Sequence, residues 1–206
     1  MMWERSALGH AALQALDAVF ATRGKPGARL TLNATLQRAL TPVDRLIRRR
    51  VPDMRPVRAV AFDKSPETNW ALPWHQDRVI AVKQKVDVAG FTNWTRKGDV
   101  WHCEPPAGLL NEMLFVRIHL DDADAAAGAM ELAEGSHAAG LVATDRAATL
   151  AASYPSHICT ALRGDILILP MLTLHRSVAA TKPAVRRVLR VDYAAFALPA
   201  PLAWID

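Results

Sequence analysis

His75 and Asp77, in the stretch Pro73-Trp74-His75-Gln76-Asp77, are the first side chains in this sequence whose types and spacing suit metal chemistry. On a strand, residues two apart leave the same face, so an imidazole and a carboxylate would enter one space together. Taken alone, the pair reads equally well as two hydrogen-bonded surface residues, because a short motif carries weight only in its context. Context comes from a second stretch, Gly164-Asp165-Ile166-Leu167-Ile168-Leu169-Pro170, which leads to Leu174-His175 and, eleven positions later, to Arg186. Two histidines and one carboxylate leave positions open on a metal, the arrangement that suits non-haem Fe(II) oxygenases. His175 also has a plainer reading as a buried structural histidine, since Leu172, Leu174 and Val178 flank it.

Short strands must carry these groups. Residues 57–62 read as the first strand, and the polar, proline-bearing stretch 63–69 reads as a loop delivering the chain to His75. Residues 79–88 are rich in β-branched side chains and continue as strand, while Gly98-Asp99 marks a turn. Residues 101–106, Trp-His-Cys-Glu-Pro-Pro, form a bulky segment suited to lie over a pocket, and Trp74, Trp94 and Trp101 are candidates for its walls. Further strands fall at 114–120, 130–133, 165–170, 174–178 and 186–196, whereas 138–152 reads equally as helix or irregular chain. Ahead of them, residues 6–23 read as an amphipathic helix with Gly24 as its stop. Thr41-Pro42 then opens a second helix that runs to Arg48-Arg49-Arg50. Helices first and many short strands afterwards indicate an α+β or all-β core, read here as mainly β with flanking α-helices.

The length of 206 residues, 51% hydrophobic and 22% charged, suits one globular domain over 1–206, with N-terminal helices at about 6–50. His10, Gln14 and Asp17 interrupt the apolar residues near the start, so neither a signal peptide nor a membrane span is expected, and the reading is cytoplasmic. Cys103 and Cys159 lack ligand-like spacing and are expected to be reduced. The net charge of +5 is spread along the chain. Its one dense run closes a helix, where cations favour the helix dipole, so no nucleic-acid partner is expected.

The sequence resembles the phytanoyl-CoA dioxygenase family of Fe(II)- and 2-oxoglutarate-dependent oxygenases. The residues that carry the resemblance are Trp74-His75-Gln76-Asp77, Leu120-Asp121-Asp122, Gly135-Ser136-His137, Gly164-Asp165, Leu174-His175-Arg176-Ser177, and Arg186 with the strand from Val188 to Ala194. They stand in the family's order over about residues 60–195. The resemblance implies a double-stranded β-helix, a cupin-like jelly roll, with His75, Asp77 and His175 as iron ligands. It implies Arg186 as the clamp on the distal carboxylate of 2-oxoglutarate, and Ser177 and Gln76 as further contacts to that cosubstrate. Asp77 and His175 lie 98 positions apart, a distance a β-roll closes because early and late strands are neighbours. Strand alternation puts Arg186 and Arg187 on opposite faces, so either could point inward, and the interval from His175 favours Arg186.

The implied reaction is oxidation of a small-molecule substrate, with O2 and 2-oxoglutarate consumed and succinate and CO2 released. Asp77 favours hydroxylation or another oxidation over halogenation, because the family's halogenating members have a small residue there. An alanine-rich 124–130, Glu134, and Val178-Ala179-Ala180-Thr181 depart from the family pattern in loops near the substrate mouth, and leave the substrate open. Two alternatives remain at this stage. One is an inactive β-barrel acting as a binding or scaffold module; the other is a cupin-type metalloenzyme that uses no keto acid.

Overall fold

The computed structural model describes residues 1–20, 27–182 and 185–205. In chain order its strands are β1 (Met2–Glu4), β2 (Ala28–Leu30), β3 (Arg55–Lys64), β4 (Leu72–His75) and β5 (Ile80–Val82). β6 (Thr92–Lys97), β7 (Val100–Glu104), β8 (Leu114–His119) and β9 (Met130–Ala133) follow. The last are β10 (Ser156–Ile158), β11 (Ile166–Pro170), β12 (His175–Ser177) and β13 (Arg186–Ala194). The α-helices are α1 (His10–Val19), α2 (Ala34–Arg50), α3 (Ala107–Asn111) and α4 (Ala147–Ala151).

These strands form three antiparallel sheets: a six-stranded one in the order β1-β11-β8-β13-β3-β2, a four-stranded one in the order β10-β9-β12-β4, and β5-β7-β6. The larger two share one core, with Phe115, Leu167 and Leu169 from the first and Met130 and Leu132 from the second. This is the jelly roll. On the outer face of the six-stranded sheet, Leu16 of α1 and Leu40, Val43 and Ile47 of α2 pack on Val116, Ile118, Ile168, Leu189 and Val191. Each such burial contributes roughly 1.5–3 kcal/mol, so the helices anchor the sheet that carries Arg186 and Arg190.

β13 is the central rod. It pairs with β3 from Arg186↔Lys64 to Ala194↔Arg55, and with β8 along its other edge. Its alternation sends Arg186 and Arg190 to the cavity between the sheets, and Leu189, Val191 and Tyr193 to the helical layer. Tyr193 ends its buried path by donating to Asp44 Oδ1 of α2 at 2.6 Å.

Several sequence expectations change. The first helix starts at His10 rather than residue 6, because Ser6 has φ 49° and the Ala7 and Leu8 N–H groups donate to the Gly164 carbonyl. Its expected stop at Gly24 lies outside the described residues. The second helix starts at Ala34, well before Thr41-Pro42, because the Asn33 side chain caps it by accepting from the Thr35 and Leu36 N–H groups. Pro42 is therefore interior, and packing of Leu36, Ala39, Leu40, Val43, Leu46 and Ile47 outweighs its missing N–H. The strand expected over 79–88 is confined to Ile80–Val82, after which the Lys83 N–H turns to the Ala203 carbonyl. The first long strand extends through Lys64, which takes two residues from the expected loop.

Candidate metal centre

β4 and β12 are antiparallel neighbours, and their pairing sets His75 directly opposite His175. The imidazole centroids stand 4.4 Å apart. Asp77, two residues past His75 and on the same side, brings Oδ2 to 3.2 Å from His175 Nε2. One ligand atom from each of the three lies within 4.8 Å of the others, close enough to share an ion.

Backbone carbonyls select the histidine tautomers. His75 Nδ1 lies 2.7 Å from the Pro73 carbonyl oxygen, and His175 Nδ1 lies 2.9 Å from that of Thr173. A carbonyl only accepts, so in the neutral ring each Nδ1 carries the proton and each Nε2 keeps a lone pair for metal. Burial and then the facing His175 lower the His75 pKa, which favours the neutral ring. Phe115 closes one side, with its ring 5.3 Å from that of His175. The donor set and its tautomers therefore fit a divalent transition metal.

Asp77 is held from behind. Arg190 Nη1 donates to its Oδ2, while Arg190 Nε donates to Asp192 Oδ1 at 2.7 Å. Asp192 Oδ2 in turn accepts from Arg58 Nη1 at 3.2 Å. Burial alone would raise the Asp77 carboxyl, but Arg190 and then His175 outweigh it and hold it well below the usual range. It stays a carboxylate at neutral pH.

A cavity of about 150 Å³ opens beside these three residues and is lined also by Phe62, Trp70, Leu72, Arg117, Ser177, Arg186 and Arg190. Arg186, 2% exposed, leaves Nε and Nη1 buried with no hydrogen-bond partner. Burial lowers its pKa to about 10, so it stays charged at neutral pH. Arg187 points the other way, pairing with Asp121 at 2.8 Å and with Asp17 of α1 at 3.0 Å. Of the two adjacent arginines, Arg186 is the one on the cavity.

Ser177 lines the same cavity and accepts a hydrogen bond from Lys64 Nζ at 3.1 Å. Gln76 does not line it. Its Nε2 donates to the carbonyls of Gly140 and Leu172, and its Oε1 accepts from the Val142 N–H at 2.9 Å. It pins two loops beneath the site. The tryptophans proposed as walls, Trp74, Trp94 and Trp101, do not line the cavity; Trp70 does. Trp94 and Trp101 instead stack edge-on in the β5-β7-β6 sheet. His119 is buried, with neither ring nitrogen partnered, and burial with Arg117 and Arg186 pushes its pKa down to about 3.

Sequence reasoning missed Lys64, Trp70 and the part played by Arg190. Lys64 sits at the start of a polar run that reads as loop, and only its pairing opposite Arg186 brings it inside. The available signal was alternation, which puts Lys64 on the face of Phe62.

The family model for phytanoyl-CoA dioxygenase matches residues 17–188. No curated protein matches the chain in sequence. Among solved structures, AviO1 from Streptomyces viridochromogenes Tue57 is similar, with TM-score 0.61 and 20% identity over 95% of this chain and 90% of that one. HygX from Streptomyces hygroscopicus, solved with nickel, 2-oxoglutarate and hygromycin B bound, has TM-score 0.59 and 13% identity over 94% of this chain and 82% of that one. SnoK, a non-haem α-ketoglutarate-dependent carbocyclase from nogalamycin biosynthesis, has TM-score 0.62 and 15% identity over 93% and 78%. At these identities the structures show the fold, and the matched domain shows the family. The chain belongs to the phytanoyl-CoA dioxygenase family of iron- and 2-oxoglutarate-dependent oxygenases.

Proposed function

We propose that this chain hydroxylates a C–H bond of a small molecule, using Fe(II), O2 and 2-oxoglutarate and releasing succinate and CO2. The observation that carries the reading is the convergence of His75, Asp77 and His175 at one end of a cavity that also holds the unpartnered guanidinium of Arg186. In this reading the two Nε2 atoms and the Asp77 carboxylate hold the metal. When bound, iron supplies the redox chemistry that couples loss of CO2 from the keto acid to oxidation of the substrate.

The chain's own residues supply placement. Arg186 offers a planar fork to the far carboxylate of the keto acid, which gains two charge-assisted hydrogen bonds in a site with little competing water. Ser177, beside it, can add a hydroxyl contact. The carbonyls of Pro73 and Thr173 keep the ligand nitrogens aimed, and Arg190 fixes the plane of Asp77. Gln76 acts indirectly, by pinning the loops at Gly140 and Leu172. The intact donor set speaks against an inactive barrel, and the buried fork of Arg186 supports a keto acid over a cupin chemistry without one. That HygX, with a similar fold, was solved with hygromycin B bound supports a small-molecule substrate.

Anaerobic titration with Fe(II) and 2-oxoglutarate tests this. A chelated keto acid gives a visible charge-transfer band, expected in the wild type and absent in His175→Ala. A wild-type protein that binds iron but never develops the band would sink the reading.

A further inference from the structure

Lys64 is an ammonium that stops one side chain short of the cavity. It is fully buried, and its Nζ donates to Ser177 Oγ at 3.1 Å and to the Val178 carbonyl at 2.6 Å, over the face of Trp70. The β3–β13 ladder sets it directly opposite Arg186, although like charges so placed repel. Among the described residues no carboxylate pairs with it. Gly128 closes the space above: its φ is 68°, and a Cβ there would stand 2.7 Å from the Val178 carbonyl oxygen and 3.0 Å from Lys64 Nζ. The chain at 128 comes this near because it carries no side chain.

Burying an ammonium without an anion is costly, so its place here calls for something a neutral side chain would not supply. An ammonium has hydrogens and no lone pair. Ser177 Oγ can only accept from it, and the serine's own hydrogen must therefore aim elsewhere. Among the described residues Ser177 Oγ has no other hydrogen-bond partner, and it lines the cavity beside Arg186. Its O–H is left as a donor to the same space that holds the unpartnered Nε and Nη1 of Arg186.

We propose that Lys64 is a positioning residue for the keto acid: it fixes the Ser177 hydroxyl as a donor to the far carboxylate that Arg186 clamps. The proposal rests on the oxygenase reading and requires no contact between Lys64 and the cosubstrate. It makes the choice of a keto diacid over a keto monoacid depend on a residue outside the cavity.

The test compares 2-oxoglutarate with 2-oxopentanoate, the same keto acid without its far carboxylate. Wild type, Lys64→Met, Lys64→Gln, Ser177→Ala and the double variant Lys64→Met/Ser177→Ala are loaded with Fe(II) anaerobically and titrated through the charge-transfer band. Both keto acids chelate through the same two oxygens, so 2-oxopentanoate reads the metal centre and the fold, and the ratio of affinities reads the far end. Lys64→Met should weaken 2-oxoglutarate about five- to tenfold, the size of one hydrogen bond. It should leave 2-oxopentanoate nearly unchanged, and it should cost little more once Ser177 is alanine. Lys64→Gln, uncharged but still a donor, should show a smaller loss of the same selectivity, and it carries the comparison if Lys64→Met does not fold. Equal weakening of both keto acids, or loss of both bands in both Lys64 variants, makes the lysine structural and overturns the proposal. So does unchanged 2-oxoglutarate affinity in both, or a loss in Lys64→Met that persists undiminished in the Ser177→Ala background. Those outcomes leave the wild-type band in place; a wild type with no band for either keto acid instead removes the oxygenase reading, and this proposal with it.

Discussion

Between Arg186 and Arg187 lies the full thickness of a sheet. One guanidinium lines the cavity without a partner, and the other is bound to Asp121 and Asp17 beneath the helices. Arg186→Met should therefore weaken 2-oxoglutarate binding about ten- to a hundredfold, the loss of a charged hydrogen-bond pair worth roughly 1.5–3 kcal/mol. Arg187→Met should leave that affinity nearly unchanged and lower stability by on the order of 1 kcal/mol, because its ion pairs are part-exposed. Titration of the charge-transfer band and urea denaturation of both variants decide it; the reverse pattern would make Arg187 the clamp. The sequence could state this alternative but could not settle it, since alternation separates the two arginines without saying which face is inside. His75, Asp77 and His175 were legible as one set because two separate stretches and the family resemblance gave the pair its context. Lys64 was not, because a lysine next to Ser65-Pro66 looks like any solvated loop.

Elements were legible where their signals were local. The strands at 114–119, 130–133, 166–170 and 186–194 all stand where β-branched and apolar runs put them. The helix of residues 34–50 was half hidden, because Thr41-Pro42 has the form of a helix start, and only packing of the apolar stripe on the sheet carries the helix through it. The working cap is Asn33, so Asn33→Ala should destabilise the protein by about 1 kcal/mol in urea denaturation. Thr41→Ala should cost less, as that hydroxyl bonds weakly to the Gln37 carbonyl at 3.4 Å. A larger effect at Thr41 would mean that the helix begins there. Short strands such as β1, β2 and β10 have no sequence signal of their own. Each exists because a longer neighbour offers an edge, Met2–Glu4 on β11, Ala28–Leu30 on β3 and Ser156–Ile158 on β9.

For the molecule as a whole, the net charge of +5 is partly an interior property. Burial, then Arg186 and Arg117, lowers the Lys64 pKa from its ordinary 10.5 to about 8. Below pH 8 the lysine is charged both folded and unfolded, and its burial counts against the fold. From about pH 8 to 10.5 the unfolded chain binds more protons than the folded one, so stability from this group rises with pH across that window. Denaturation midpoints at intervals through that range should rise relative to those of Lys64→Met; identical slopes for the two proteins would show that the ammonium is not desolvated. Global features of this kind depend on which charges meet across sheets, and that lies beyond any local reading.

The hydrogen bonds from both histidine rings end on peptide oxygens, at Pro73 and at Thr173. An oxygen of the main chain is present whatever side chain stands at its position. Mutation can thus reshape the walls around Phe62 and Trp70 without disturbing the aim of either imidazole. Substitutions at positions 73 and 173 that keep the backbone in place should therefore leave both rings aimed.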